Sequence, residues 1–458
     1  MSIKLNMIFA IMTVAGIVGC GYNSSTRDGM ANHDATAAET DIAVMKDTAI
    51  SSLANGIQPV VNAGGGCIAE LTIDPALQRI VSEVLARYAD TNDTGVGWAV
   101  LMSADDGAIL ALGDCGGVAE DPHPFALTRL YTPGHLLSTM TVAAALDAGI
   151  ATPDSELFTN ASEAFYHQYK LPGDGSHIWE STLSVSNALA YSSNVVLSKL
   201  GILVGRDKEF DVLSKFGVGT KSGIGFSGER VGRLLQPGRW CSHHKTRIPI
   251  GQGVKITSIQ VARAYATLAN HGERVDPYAV KGIVNASGET LYEHVVSTNK
   301  VQAVSREAAD SVCGILEGAV KADDIKGFNG LNEDNPPDIA KSLVPPRATG
   351  WRAAVEGVRI AGKTSTVQRM KSNSYEYDFK RYIASFAGFF PVDTQKADGR
   401  QYVLVVCYET RRDDSVPYMH QGGGRPAIAF SEIVKSIVRR QNGTTPTCYG
   451  REDTRIGR

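Results

Sequence analysis

Apolar residues fall along this chain in runs of distinct period. An apolar run from Met7 to Val18 is followed by Gly19 and Cys20. Residues 21–66 are rich in Asn, Ser, Thr, Asp, Ala and Gly, end in "NAGGG", and read as a flexible linker with at most a weak helix. Beyond Gly66 the pattern becomes regular. "AELTIDPALQRIVSEVLARYAD" predicts a short strand and then a helix that Asp74 caps and Pro75 opens. "GVGWAVLMSADDGAILALGD" predicts a hairpin of two apolar strands around Asp106 and Gly107. Helical periodicity dominates from about 133 to 270, including "KITSIQVARAYATLANHG", with Thr257 and Gln260 at capping-box spacing and Gly272 as a stop. Three β-rich runs return late, "VRIAGKTSTVQ", "YIASFAGFFPV" and "QYVLVVCYE", before the amphipathic "RPAIAFSEIVKSIVRRQNG". Strands from both ends of the chain around a helical insert predict an α+β fold: an antiparallel sheet flanked by helices, plus a helical subdomain.

Composition narrows the function classes. The 458 residues carry a net charge of −3 and no dense Lys/Arg block, so nucleic acid is not expected as a partner. The N-terminal apolar run is shorter than the about 20 residues of a spanning helix, and "IVGC" has the grammar of a lipoprotein-type export signal over residues 1–20, with Cys20 as the lipidated residue. The expected location is therefore outside the cytoplasm, anchored to a membrane and facing the periplasm or cell exterior. Cys67, Cys115, Cys241, Cys313, Cys407 and Cys448 remain, and their pairing cannot be read from sequence. None has metal-ligand spacing, and neither a metal nor another cofactor is expected.

Nine fragments then occur in one order: "LTIDPALQ", "GAILALGD", "LTRLYTPG", "YSSNVVLSKLG", "FGVGTKSGIGFSGE", "PIGQGVKITSIQVARAYATLANHG", "AGKTSTVQ", "ASFAGFFP" and "QGGGRPAIAFSEI". In that order the chain resembles the transpeptidase domain of class B penicillin-binding proteins over roughly residues 68–440. The resemblance implies a penicillin-binding protein/β-lactamase-like transpeptidase fold over residues 67–440, with a C-terminal tail at 441–458. It also implies a site of three elements, S-x-x-K, S-x-N and K-T-G. Ser192, Ser193 and Asn194 match the second, where a relay Ser and a substrate-holding amide are expected. Lys363, Thr364 and Ser365 match the third, with Ser365 in place of Gly, so that its CH₂OH narrows the substrate slot; the Thr366 N–H aligns with an oxyanion donor.

The first element is absent. The resemblance places the nucleophile Ser at 135 and the base Lys at 138, and the chain has His135 and Ser138 there. A shifted register fails, because the base would fall on Thr141, an alcohol. "SHHK" (Ser242 to Lys245) and "STNK" (Ser297 to Lys300) lie after the S-x-N match, out of family order. A neutral His135 at a helix N-terminus could accept the Ser138 proton at i,i+3, an inverted pair. From Leu136 to Ala148 only Asp147 is charged, the pattern of a helix buried on all sides. The reading is therefore a catalytically inactive member of the family: a scaffold for cell-wall synthesis proteins or a noncovalent binder of peptidoglycan stem peptides. The alternatives are an active serine-type D,D-transpeptidase or carboxypeptidase with an unconventional nucleophile, and a β-lactam or muropeptide sensor.

Overall fold

The computed structural model describes residues 28–52, 58–89, 95–116, 124–160, 169–174, 182–225, 227–297, 300–321, 348–370, 377–392, 399–412 and 419–442. The export signal, Cys20, Cys448 and the tail beyond 442 lie outside them. The described residues divide into two units, one ending at Ile42 and the other beginning at Ala43. Helix α1 (Asp28–Ser51) begins in the first; everything below concerns the second. No helix among the described residues is long and apolar enough to cross a membrane.

Strands β1 (Val60–Gly64) and β2 (Cys67–Leu71) form an antiparallel pair ahead of α2 (Pro75–Arg87). The Asp74 carboxylate caps α2, accepting from the Ala76 and Leu77 amides at 2.8 and 3.1 Å. The predicted hairpin forms β3 (Gly97–Ser103) and β4 (Ile109–Cys115). After a short α3 (Phe125–Thr128) come α4 (His135–Asp147), a small pair β5 (Glu156–Phe158) and β6 (Thr182–Ser184), and helices α5 (Val185–Tyr191), α6 (Asn194–Val204) and α7 (Arg206–Lys215). They are followed by α8 (Ser242–Arg247) and α9 (Ser258–Ala269), whose Thr257/Gln260 capping box forms as predicted. Strands β7 (Val280–Val284) and β8 (Thr290–Glu293) and helix α10 (Arg306–Gly318) precede β9 (Ala361–Met370), β10 (Tyr377–Phe390), β11 (Tyr402–Arg411) and α11 (Arg425–Gln441).

The main sheet is antiparallel throughout, in the order β4-β3-β11-β10-β9, so the first and last thirds of the chain share it. Side chains alternate between two cores, as a strand period of two requires. Trp98, Val100, Met102, Val403, Val405 and Cys407 face the larger core with α4 and α9. Leu101, Leu404, Val406 and Tyr408 face the smaller one under α2 and α11. Both faces being covered explains why β3 and β11 read as continuous apolar runs. A second sheet has the order β1-β2-β7-β8.

The linker expected over 21–66 is corrected where α1 and β1 stand: the folded part begins before Gly66. The end of α1 carries a buried face, with Ala49 and Ile50 fully buried and Met45 packed against the same larger core, too short a stretch to register as a period. β1 has the mixed exposure of an outer strand and is specified by its partner, Val60 pairing with Glu70 and Asn62 with Ile68. Cys67, Cys115, Cys241, Cys313 and Cys407 are free thiols.

Candidate active site

Three elements converge where the sequence places the site. Helix α4 is buried on every side, each residue from Leu136 to Ala145 being at most 2 % exposed, and it packs against α6, α7, α10 and β9. Its N-cap is Gly134, at φ 54° and ψ −141°, a conformation that a side chain would strain. A Cβ on Gly134 would lie 2.2 Å from the Ser365 Oγ and 2.6 Å from the Val367 Cγ2, so the first turn of α4 is pressed onto β9. The second element is the junction of α5 and α6. Ser192 caps α5 in the left-handed conformation, and Ser193 caps α6, its hydroxyl accepting from the Val196 amide at 3.2 Å and donating to Asp174 at 2.8 Å. Both serines of the S-x-N match thus serve as helix caps. The third element, Lys363 to Thr366, lies on β9, the edge strand of the main sheet.

Hydrogen bonds fix the protonation of His135. The Asn194 Nδ2 donates to the Gly173 carbonyl at 3.0 Å, which turns its Oδ1 toward the His135 Nε2, 3.1 Å away. An amide oxygen only accepts, so Nε2 carries the proton. Nδ1 is then the acceptor for the Ser138 hydroxyl at 3.0 Å. Burial, then the Lys363 ammonium, pushes the imidazole pKa down to about 3, while the Asn194 bond opposes this. The ring is neutral at every physiological pH. Ser138 is thus joined to His135 and Asn194 in one proton-ordered chain, but it is fully buried and presents its oxygen to no solvent.

Lys363 is fully buried as well. Its Nζ donates to the Ser192 hydroxyl at 2.5 Å and to the Thr364 carbonyl at 3.1 Å, and no carboxylate among the described residues pairs with it. Burial pushes its pKa down to about 7, so the amine is only half charged near neutrality. The Thr364 hydroxyl donates to the Thr349 Oγ1 at 2.7 Å, which in turn donates to the Ala190 carbonyl. Ser365 is buried with its Oγ unpartnered, filling the space between β9 and Gly134. Thr366 lies on the exposed side, and its Oγ1 accepts from the Gly422 amide at 3.0 Å. The structure thus brings together His135, Ser138, Ser192, Asn194, Lys363, Thr364 and Ser365.

Sequence reasoning missed three supports of this cluster: Thr349, Asp174 and the buried Glu209. Thr349 and Asp174 stand outside the helices and strands, in sequence with no periodicity to mark them. Glu209 accepts from the Thr141 hydroxyl at 2.6 Å, its Oε2 is unpartnered, and burial raises its pKa to about 7. A lone Glu in the polar "GRDKEFDVL" gives no sign of burial.

With this geometry in place, residues 97–435 match the penicillin binding protein transpeptidase domain. The chain is 27 % identical over 394 residues to penicillin-binding protein PbpB of Mycolicibacterium smegmatis, covering 83 % of this chain and 56 % of that protein. It is 26 % identical over 381 residues to the peptidoglycan D,D-transpeptidase FtsI of Escherichia coli, covering 81 % and 56 %. The chain thus spans about half the length of these relatives. Its fold resembles crystal structures of penicillin binding protein 3 from Mycobacterium tuberculosis, with a TM-score of 0.67 at 24 % identity over 82 % of this chain and 79 % of that one. It also resembles the transpeptidase domain of penicillin-binding protein 3 from Burkholderia pseudomallei, at 0.59 and 24 % over 81 % and 96 %.

Proposed function

The chain belongs to the penicillin-binding protein transpeptidase family, and from that premise we propose that it is a pseudo-transpeptidase that binds peptidoglycan stem peptides without forming an acyl-enzyme. The observation that carries this reading is the state of His135. It stands where the family resemblance assigns the nucleophile, its ring is neutral, and both nitrogens are committed to Ser138 and Asn194. Acyl transfer needs an oxygen nucleophile and a base in contact with the substrate carbonyl. Ser138, whose hydroxyl donates to the His135 Nδ1, is buried one turn below the helix end. That burial weighs against a working enzyme with Ser138 as its nucleophile. What remains suits noncovalent recognition: the Ser192 hydroxyl, which accepts from the Lys363 amine and keeps its own proton, forms with that amine a donor pair for a peptide carboxylate.

Treatment of the full-length protein with a fluorescent penicillin, followed by intact mass, tests this. No adduct is expected. The double variant His135→Ser plus Ser138→Lys is expected to gain slow acylation, and adding Ser365→Gly to raise it further by clearing the hydroxyl packed on Gly134. A stoichiometric adduct on the unmodified protein overturns the reading.

A further inference from the structure

Between Gly217 and His271 the chain carries eight Lys and Arg residues and one acid, Glu229, although its overall balance is −3. Glycines and apolar residues separate these cations in sequence, so they form no block, but the fold gathers four of them. Arg233 and Lys255 face each other across an antiparallel bridge with backbone hydrogen bonds of 2.7 and 3.0 Å, and opposed residues share a face. The Lys255 pKa is lowered by burial and then by the Arg233 charge, as two adjacent cations require. Gln260 ties in the other two. Its Nε2 donates to the carbonyls of Thr220 at 2.5 Å and Val231 at 2.9 Å, which brings Lys221 beside Arg230. Glu229 does not neutralise this cluster, because it is buried and its Oε1 accepts from the Ser222 hydroxyl and from the Gly223 amide at 2.9 Å. Lys221, Arg230 and Arg233 are exposed and pair with no carboxylate among the described residues.

An exposed cluster of uncompensated cations is a surface for a polyanion. Two features choose among polyanions. Val231, which lies between Arg230 and Arg233 in the chain, is 47 % exposed and offers an aliphatic contact within the charge. The described aromatic residues of the segment, Trp240 and Tyr265, are buried, so no ring is offered on which a nucleic acid base could stack. Basic side chains around an exposed aliphatic one fit a lipid surface, whose headgroups hold phosphates above an apolar interior. The membrane anchor expected at Cys20 would supply that surface. We infer that the Lys221–Arg230–Arg233 face is a docking surface for a membrane rich in anionic phospholipid. The inference is independent of the stem-peptide reading above.

The test is co-sedimentation of the full-length protein with vesicles of phosphatidylcholine, alone or with about 30 % phosphatidylglycerol. The apolar run Met7–Val18 contributes to both vesicle types, so the difference between them is what is read. Anionic vesicles are expected to bind the protein at least about 10-fold more strongly, each basic residue at the surface being worth about fivefold. Lys221→Gln, Arg230→Gln and Arg233→Gln together are expected to remove that difference without lowering the melting temperature. A control of equal charge, Arg79→Gln, Arg87→Gln and Arg306→Gln at exposed positions of α2 and α10, is expected to keep it. Retention of the difference by the first triple variant overturns the surface, and so does an equal loss in the control, which would reduce the effect to net charge. Release of bound protein by inorganic phosphate at matched ionic strength would point to a pocket for a single anion and overturn the lipid assignment. Tighter binding of a single-stranded oligonucleotide, lost in the first variant alone, would overturn it in favour of nucleic acid.

Discussion

At the scale of single residues the site is a set of titratable groups that burial has stripped of charge, wholly at His135 and partly at Lys363. His135 is neutral and Lys363 sits at about 7, both moved down chiefly by desolvation. For Lys363 this has a consequence for binding. A ligand carboxylate beside Nζ stabilises the ammonium, so the complex has a higher pKa than the free protein. Below pH 7 the charge is already present and affinity is flat. Above it each unit of pH costs up to about tenfold in affinity, because binding must take up a proton, until the pKa of the complex is passed. Titration of acetyl-D-Ala-D-Ala between pH 6 and 9 is expected to give this falling limb, and Lys363→Met to remove it along with most of the affinity. A dissociation constant independent of pH over that range would exclude Lys363 as the anchor. The Lys363 position was legible from the order of motifs. Its half-charged state was not, because desolvation comes from helices distant in sequence.

Among the elements, α4 carries both the clearest sequence signal and the least visible energetic one. Its lack of charge between Leu136 and Leu146 predicted burial, and its neighbours α6, α7 and α10 provide it. What the pattern did not reveal is that α7 places a carboxyl against it. Glu209 meets Thr141 from α4 inside the packed helices, fully buried with Oε2 unpartnered. Its pKa rises from 4.5 to about 7 because the charged form loses its hydration there. The folded state therefore holds a proton that the unfolded chain releases near 4.5, so stability is greatest below pH 4.5 and declines as pH rises to about 7. The decline from this group is of order 3 kcal/mol, at about 1.4 kcal/mol per pKa unit. Glu209→Gln keeps the shape and cannot ionise. Urea melts at pH 5 and pH 8 are expected to differ much less for this variant than for the parent, with the variant the more stable at pH 8. Parallel pH dependence in both proteins would mean that Glu209 is hydrated after all.

For the whole molecule, the part of the fold that sequence made legible is the part built from local signals. The capped α2, the Asp106–Gly107 hairpin, the Thr257/Gln260 box and the three late strands each announce themselves within about ten residues. The N-terminal boundary did not, because β1 and the end of α1 draw their stability from partners far along the chain. Among the described strands β1 pairs only with β2, and Ile50 is buried in the core shared with α4 and α9. This difference in origin is measurable with three truncations, beginning at residues 43, 58 and 67. The first keeps both features. Starting at 58 removes the buried Ala49 and Ile50 side chains, a loss of about 2–4 kcal/mol by the usual cost of emptying a core site. Starting at 67 also strips β1 and leaves the backbone edge of β2 unpaired, so lower solubility should accompany the lower melting temperature. The expected order of stability is 43, then 58, then 67. If the protein starting at 67 melts with the one starting at 43, the stretch before Gly66 contributes nothing to the fold, and the linker reading holds in the energetic sense that matters.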